Sequence, residues 1–230
     1  MNDVHASPRV YRSVSRQAQA RRTRQRVLHA ATAAFLERGY AATTMRVIAA
    51  TAKVSVPTVE MLFGTKPRLL KAAIDVAIAG DDEPVAVLDR SWAADALAAT
   101  DAREFLTIVA GVIGPAQVRS AGLVLAVFEG AAADPALAEL ATQLIAQRAG
   151  TAQWCVERLA AMGPLRDGSS RQEAIDTFWL LMDPAVFDRL TRHRGWTVER
   201  YERWFADAAG RLLVDTPTSD PHRNQRQERM

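Results

Sequence analysis

The chain has 230 residues, 49% of them hydrophobic and 24% charged, which suits a soluble globular protein large enough for two buried cores. Its single cysteine, Cys155, excludes a disulfide framework within the chain and argues against a cysteine zinc site. The net charge is +3. No apolar stretch follows the N-terminal arginines, and the longest uncharged run, residues 105–118, is too short to span a bilayer. We therefore expect a cytoplasmic protein that does not enter a membrane.

The small net charge is unevenly distributed along the chain. Residues 1–80 carry 13 Lys and Arg against 4 Asp and Glu, a net charge of +9, whereas residues 81–215 carry 13 against 20, a net charge of −7. A basic front part on an acidic body favours a polyanion such as DNA as a partner of the front part only. An incidental charge split on a solvated surface is the alternative.

The N-terminal residues predict an arm followed by a helix. Residues 1–20 have no periodic apolar pattern and predict a disordered basic arm, which either contacts a DNA groove or has no role. From Arg21 onward, apolar residues recur at helical spacing. Gly39 is expected to end this first helix, because glycine readily adopts the positive φ found there.

Two short helices joined by a tight turn come next, and a longer helix follows them. Thr44 and Ser55 are candidate N-caps of the short helices, and Pro57 falls in a first turn, where its missing N–H costs nothing. Thr65 is the candidate cap of the longer helix. A helix-turn-helix with small and polar residues exposed on its second helix is the shape that enters a DNA major groove. Residues 21–79 therefore predict a DNA-binding domain.

The remainder predicts a helical bundle, so the fold class is all-α: an N-terminal three-helix helix-turn-helix domain and a C-terminal bundle. Residues 80–100 predict a connector with an acidic turn. Gly114-Pro115 is expected to end one helix and start another, and residues 135–162 predict one long helix. Residues 216–230 are polar and predict a disordered tail.

One stretch of some fifty residues holds several short segments in a recognisable order. They are VLHAA at residues 27–31, FLERGY at 35–40, TTM at 43–45, IA at 48–49, VSVPTVEMLFGTK at 54–66 and LL at 69–70. This stretch, from Arg22 to Ile74, resembles the DNA-binding domain of TetR-family (TetR/AcrR-like) transcriptional regulators. Residues 181–187 and 194–204 resemble the last helices of one branch of that family. The resemblance implies that residues 80–215 form a ligand-binding and dimerisation domain.

The resemblance also places the second helix of the motif in the major groove of operator DNA. The residues that it implies for DNA contact are Thr44, Arg46, Lys53, Ser55, Val56, Pro57, Thr58, Glu60, Met61 and Lys66. Thr44 and Lys66 are expected at phosphates, with capping and solvation alone as the alternative. Thr58 is expected at a base edge or a phosphate, and apolar Pro57 or Met61 at a thymine methyl group.

Two positions depart from the family pattern. Lys53 lies in the turn between the motif helices, where the family usually has Gly, and costs about 1 kcal/mol if that position needs a positive φ. Glu60 lies where the family often has an aromatic residue whose hydroxyl touches a phosphate. We expect Glu60 either to accept a hydrogen bond from a cytosine amino group or to pair with Arg46 or Lys66.

The family resemblance further implies a homodimer that represses transcription from a palindromic operator and is released by an unknown small-molecule effector. A largely apolar ligand is expected inside the C-terminal bundle. Candidate pocket residues, each with plain core as the alternative, are Phe105, Phe128, Trp154, Cys155, Phe178 and Met182. Candidate dimer-interface residues, again with core as the alternative, are Phe178, Leu181, Trp196, Trp204 and Phe205.

Catalysis is not expected from this sequence. The four histidines show no paired spacing for a metal, and the chain has no Gly-rich phosphate loop and no nucleophile elbow. Nothing supports a catalytic pair of Cys155 with His193. We therefore expect no catalytic residues, no metal and no cofactor. The competing prediction is a DNA-binding protein without a ligand, which would have an architectural or partner-recruiting role.

Overall fold

The computed structural model describes the backbone of residues 8–215 and the side chains of residues 17–215. This described part consists of ten α-helices and has no β-strand beyond a single bridge between Leu165 and Val214, which confirms the predicted all-α class. The helices are α1 (Pro8–Ala42), α2 (Met45–Thr51), α3 (Val56–Phe63), α4 (Lys66–Ala79), α5 (Ser91–Ala98), α6 (Ala102–Gly130), α7 (Pro135–Met162), α8 (Arg171–Leu181), α9 (Pro184–Asp188) and α10 (Val198–Leu213). A 3-10 turn, Val87–Asp89, precedes α5, and a π-helical segment, Arg189–His193, follows α9.

Helix α1 begins earlier than the sequence predicts. It starts at Pro8, so the part of the predicted disordered arm from residue 8 to residue 20 is helical. Those residues include Arg, Gln and Ala, which favour helix, and extending a helix that is already nucleated costs little. Residues 17–20 are all exposed, which explains why this part of the helix has no periodic apolar pattern. Residues 1–7 of the arm and the predicted tail at 216–230 lie outside the described residues.

The first helix breaks where predicted. Gly39 has φ 72°, and the regular part of α1 ends there. The fully buried Thr43 shares its one hydroxyl hydrogen between the carbonyl oxygens of Ala34 and Gly39, which lie 2.9 and 2.7 Å from Oγ1. The contact with Gly39 satisfies a carbonyl group that the end of the helix leaves without a partner. The break lets the chain turn back and place α2 against α1.

Helices α1 to α4 enclose an apolar core that extends into the C-terminal bundle. Phe35, Ile48, Val59 and Phe63 are all buried in it, as predicted. The same cluster includes buried side chains of α6 and α7, such as Leu123, Val127, Leu137 and Leu140. A second buried cluster joins α6, α7, α8 and α10. The N-terminal helices are therefore packed directly on the bundle that follows them.

Helix α6 is unbroken, which corrects the predicted boundary at Gly114-Pro115. Proline at position 115 removes the N–H that would bond the carbonyl of Gly111, and Gly111 is exposed, so water can solvate that carbonyl. Burial along the rest of the helix offsets the loss.

Among the described helices, α6 alone has the length and apolar composition of a membrane span. Half of its most apolar window is buried inside the protein, and it contacts α1, α4, α5, α7, α9 and α10. That is the position of a central helix in a bundle.

Candidate DNA-binding surface and ligand cavity

Helix α3 has one buried face and one exposed face. Val59 and Phe63 point into the core, being 0% and 7% exposed. Pro57, Glu60 and Met61 are turned outward, and Met61 is 79% exposed. An α-helix with its side chains is about 10–12 Å across, which fits the width of a DNA major groove. The exposed face of α3 is therefore free to meet a duplex.

Hydroxyl groups cap α2 and α3 as predicted. Thr44 Oγ1 accepts from the backbone N–H of Val47 at 3.2 Å, and Ser55 Oγ accepts from that of Thr58 at 3.3 Å. The hydroxyls of Ser55 and Thr58 also lie 2.8 Å apart, so one of their two hydrogens is used between them. The other hydrogen, and that of the exposed Thr44, are free to be donated to a phosphate oxygen.

The turn between α2 and α3 has a left-handed residue that is not glycine. Lys53 has φ 54°, which confirms that this position needs a positive φ. The Lys53 N–H donates to Ala50 O at 3.1 Å and the Val54 N–H to Ala49 O at 3.0 Å, the two bonds of a Schellman motif. The lysine side chain is exposed, and its backbone carries the strain.

Lys66 has a structural role that the sequence analysis did not predict. Its Nζ donates to Tyr40 O at 2.9 Å and Thr43 O at 3.0 Å, and it lies 3.8 Å from the centroid of the Tyr40 ring. Burial lowers the pKa of Lys66, and the charge of Asp134 partly opposes that shift. Two of the three ammonium donors are used in this way, which leaves one for a phosphate.

The structure leaves all ten predicted DNA-contact residues at least partly accessible. Seven are exposed (Thr44, Arg46, Lys53, Ser55, Pro57, Glu60 and Met61) and three are half-buried (Val56, Thr58 and Lys66). Within residues 17–215, Glu60 forms no salt bridge, so neither the pair with Arg46 nor that with Lys66 is present. The Glu60 carboxylate is thus available to an external donor.

A cavity of about 1070 Å³ lies among α1, α4, α6 and α7, beside the segment 81–88. Its walls are mainly apolar and include Val109, Ile113, Val124, Phe128, Leu144 and Met182. Three of the six predicted pocket residues, Phe128, Cys155 and Met182, line it. Burial raises the pKa of the Cys155 thiol.

The other three predicted pocket residues do not line this cavity. Phe105 and Phe178 are fully buried in the second core cluster, where Phe178 packs edge-on against Phe205 at 5.4 Å. Trp154 packs against Phe105 and against Trp92, which does line the cavity. Apolar residues on inward helix faces fill core and line cavities with the same periodicity, so the sequence could not separate the two.

Polar side chains that sequence analysis missed also line the cavity. Gln117 Nε2 donates to Met182 O at 2.7 Å. Arg148 Nη2 lies 2.7 Å from Asp183 Oδ2, and its guanidinium carbon lies 4.1 Å from the centroid of the Trp179 ring. A sequence signal for Arg148 exists, since it is the one charged residue between Glu139 and Glu157.

One arginine of α1 connects helix α3 with the cavity wall. Arg24 Nε lies 3.1 Å from each carboxylate oxygen of Asp82, and its guanidinium carbon lies 4.6 Å from the centroid of the Phe63 ring. Arg24 and Asp82 both line the cavity. Nearby, Arg119 Nε donates to Ala77 O at 2.7 Å and so attaches α6 to the end of α4. No local sequence pattern indicates these contacts, because the partners are 42 to 58 residues apart.

The predicted dimer-interface residues are mostly internal to the chain. Phe178 and Phe205 are fully buried, and Leu181 is only 9% exposed. Packing within the chain therefore already covers these three side chains. Trp196 and Trp204 are half-buried and pack edge-on at 6.0 Å. The exposed apolar side chain on α8 is Leu180, at 57%.

No metal-binding cluster is present among the side chains of residues 17–215, since no three His, Cys, Asp or Glu residues converge there. Cys155 is fully buried, whereas the side chain of His193 is 68% exposed and lies near Asp188. The structure therefore gives no support to a catalytic pair of Cys155 with His193.

Comparisons with known proteins agree with this arrangement. Residues 27–73 match the family model described as bacterial regulatory proteins, tetR family. That region contains α2, α3 and most of α4, together with the part of α1 that packs on them. A search of curated proteins finds no match.

Solved structures share the fold over most of the chain. One from Rhodococcus sp., assigned to the TetR-family transcriptional regulators, has a TM-score of 0.65 at 17% identity and covers 84% of this chain and 99% of its own. A protein from Saccharomonospora viridis, assigned as a transcriptional regulator and solved in complex with choline, has a TM-score of 0.61 at 20% identity. The match covers 84% of this chain and 98% of that one. The SmeT–triclosan complex has a TM-score of 0.61 at 17% identity, covering 85% and 93%. Residues 27–73 of this chain thus match the tetR family of bacterial regulatory proteins, and the chain shares the fold of these solved regulators.

Proposed function

We propose that this protein is a cytoplasmic, homodimeric transcriptional repressor that is released from a palindromic operator by a small molecule in the cavity. The observation that carries the proposal is the position of α4. Its first residue, Lys66, donates to carbonyl groups at the α1–α2 junction, and its second half, residues 71–79, lines the cavity. One helix therefore touches both the helix-turn-helix and the space where a ligand would bind.

The proposed DNA contacts follow from exposure and chemistry. Thr44, Arg46 and Lys53 contact phosphates, because each is exposed and has a free donor or a positive charge. Met61 and Pro57 contact thymine methyl groups from the exposed face of α3. Ser55, Val56 and Thr58 flank this face, and the single free donor of Lys66 adds one more phosphate contact.

Glu60 accepts a hydrogen bond from a cytosine amino group in this proposal. A carboxylate close to the DNA backbone would be repelled by phosphates, so its position on α3 is favourable only toward a base donor. The lack of an ion pair to Glu60 within the described residues supports this assignment.

A small-molecule effector is supported by the cavity and by proteins of the same fold. The cavity has about the volume of known ligand sites and predominantly apolar walls. The Saccharomonospora viridis regulator was solved with choline and SmeT with triclosan. We expect the ligand of this protein in the space lined by Phe128, Cys155 and Met182.

The proposed mechanism is a shift between two conformations. In the DNA-binding conformation of a dimer, the two α3 helices are about 34–36 Å apart and meet successive major grooves. A ligand that fits the cavity better in the other conformation moves α4, and with it the distance between the α3 helices. The ligand releases DNA only to the extent that it prefers the second conformation.

The test is selection of bound duplexes from a random DNA library by the purified protein, followed by footprinting and sedimentation of the complex. We expect a palindrome with half-sites one helical turn apart, bound by two chains. Coating of DNA without sequence preference would overturn the proposal of an operator-specific regulator. Binding of a single chain to a half-site would overturn the proposal of a dimer. Genomic footprinting in cells, with and without candidate ligands, then tests release.

A further inference from the structure

The cavity contains a buried positive charge in a mainly apolar part of its wall. The Arg148 side chain is 10% exposed and lines the cavity together with Val109, Ile113 and Phe128. We propose that the effector is an apolar organic acid whose carboxylate, or an equivalent anionic oxygen group, binds Arg148. This inference rests on the proposed function, since it takes the cavity as the effector site.

The charge of Arg148 is only partly compensated within the protein. Its ionic partner among the described residues is Asp183, which also accepts from the backbone N–H of Ala185 at 2.8 Å as the N-cap of α9, so that carboxylate is shared. The Arg148 Nε has no hydrogen-bond partner among the described residues. Burial lowers the pKa of Arg148 despite the opposing effect of Asp183. A second oxygen anion would therefore be stabilised there.

The unpaired polar atoms of the interior are of one chemical kind. Within the described side chains, the five buried nitrogen or oxygen atoms without a partner are all N–H donors. Two of them, Arg148 Nε and Trp92 Nε1, belong to residues that line the cavity. Protein atoms cover both donors in this structure, so a ligand oxygen reaches them only after a small shift of the side chain. A buried donor without an acceptor is destabilising, so such a shift favours a ligand with acceptor oxygens over one with an amine.

The carboxylates of the cavity do not oppose an anionic ligand strongly. Three of the four that line it have cationic partners, in the pairs Lys71–Asp75, Arg24–Asp82 and Arg90–Asp81. The fourth, Glu83, is exposed. Its charge is therefore screened by solvent, unlike that of the buried Arg148. The rest of the ligand meets apolar side chains, so a hydrocarbon body attached to the acid fits the wall.

The experiment compares ligands of one shape and different charge. Decanoate, decan-1-ol and decylamine are titrated into the full-length protein by calorimetry, and 2-naphthoate and 2-naphthol form a second, aromatic pair. We expect each acid to bind about 10-fold or more tightly than its alcohol, and decylamine to bind more weakly than decan-1-ol. Arg148→Met should reduce the affinity for decanoate to about that for decan-1-ol.

Arg158→Met is the matched control. Arg158 is on the same helix, its Nε also has no partner in the described part of the chain, and it donates to Leu97 O, but it does not line the cavity. Asp183→Asn is a second variant that keeps a good N-cap and removes the competing carboxylate. It should raise the affinity for decanoate, and it keeps the proposal falsifiable if Arg148→Met fails to fold.

The outcomes separate this inference from the proposed function. Failure of both acids to bind, equal binding of acids and alcohols, or unchanged binding in Arg148→Met and Asp183→Asn would overturn the organic-acid assignment, whatever the protein does on DNA. If the acids bind with the expected selectivity yet leave operator binding unchanged, the ligand class is supported and ligand-driven release is overturned. A role of Arg148 in packing alone predicts lower stability without a change in the acid-to-alcohol ratio.

Discussion

The side chain of Arg24 bonds Asp82 through both carboxylate oxygens, at 3.1 Å each, while its guanidinium lies over the ring of Phe63 at 4.6 Å. Phe63 is the last residue of α3, and Asp82 belongs to the segment beside the cavity. Helix α3 is thus connected to the cavity wall by one side chain as well as by α4. A ligand that displaces segment 81–83 would move Arg24 and relax its contact with Phe63.

We expect Asp82→Asn to weaken the coupling between ligand and DNA more than it weakens the fold. The ion pair is partly exposed, so its loss should lower the free energy of unfolding by less than about 1 kcal/mol. The ratio of operator affinities without and with a cavity ligand should fall by about 2-fold to 30-fold. Fluorescence anisotropy of a labelled operator measures that ratio.

Asp75→Asn is the control for this coupling. It breaks the Lys71–Asp75 pair, which also lines the cavity but lies wholly within α4. An equal loss of coupling in both variants would show that Arg24 and Asp82 have no special role.

Lys53→Gly should stabilise the protein. A left-handed conformation costs a residue with a Cβ about 1–2 kcal/mol, and Lys53→Gly removes this cost from the folded state. Glycine also has more freedom in the unfolded chain, which cancels about 0.4–1 kcal/mol of the stabilisation. The net increase in the free energy of unfolding should therefore be up to about 1.6 kcal/mol, measured by urea denaturation. Lys53→Ala removes the charge and keeps the Cβ, so it should show no such gain. Equal stabilities of the two variants would contradict the assignment of strain to the backbone.

Arg46→Ala and Met61→Ala should affect DNA binding in different ways. A lost phosphate contact at Arg46 weakens binding to all sequences alike and makes the slope of log affinity against log salt less steep by about 1. A lost methyl contact at Met61 leaves that slope unchanged and reduces discrimination at one base pair by about 1 kcal/mol. Electrophoretic mobility shifts over a salt series measure both.

Arg211→Ala is the control for non-specific charge effects. Arg211 is exposed on α10 and pairs with Asp207, away from α3. A salt slope that changes as much in Arg211→Ala as in Arg46→Ala would contradict a specific phosphate contact.

Lys66→Met should destabilise the fold as well as weaken DNA binding. It removes two charge-assisted hydrogen bonds to Tyr40 and Thr43 and the contact with the Tyr40 ring, which together should cost about 1–3 kcal/mol of unfolding free energy. Lys71→Met, which breaks an i,i+4 pair on the same helix, should cost less than about 0.5 kcal/mol. Weaker operator binding with unchanged stability in Lys66→Met would instead indicate a phosphate contact only.

Local hydrogen bonding explains which parts of the fold could be predicted. The caps at Thr44 and Ser55 and the break at Gly39 depend on residues within four positions of each other. The long helix at residues 135–162 matches α7 because an Asp-Pro start and a Gly-Pro end are both local signals. The exposed face of α3 could be predicted as well, since the burial of Val59 and Phe63 fixes it.

Contacts between distant segments explain what could not be predicted. Pro115 lies inside α6 because packing on six other helices outweighs the lost hydrogen bond, and no local pattern shows that packing. Phe105 and Phe178 have the same spacing as cavity residues but face the second core cluster. The Arg24–Asp82 and Arg148–Asp183 pairs join residues far apart in the chain, so their partners could be chosen only from the folded structure.

Cys155 should be unreactive toward thiol reagents in the native protein, although it lines the cavity. The thiolate is the reactive form, and burial raises the pKa of Cys155, so less of this thiol is ionised at pH 9 than in an exposed cysteine. Raising the pH from 7 to 9 would greatly speed the reaction of an exposed cysteine but should leave Cys155 slow. The absorbance change with dithiobis(nitrobenzoate) measures this, and the reaction in urea should give one thiol per chain. Fast labelling of the native protein would mean that the cavity opens as far as Cys155, and protection by a bound ligand would then locate that ligand in the same space.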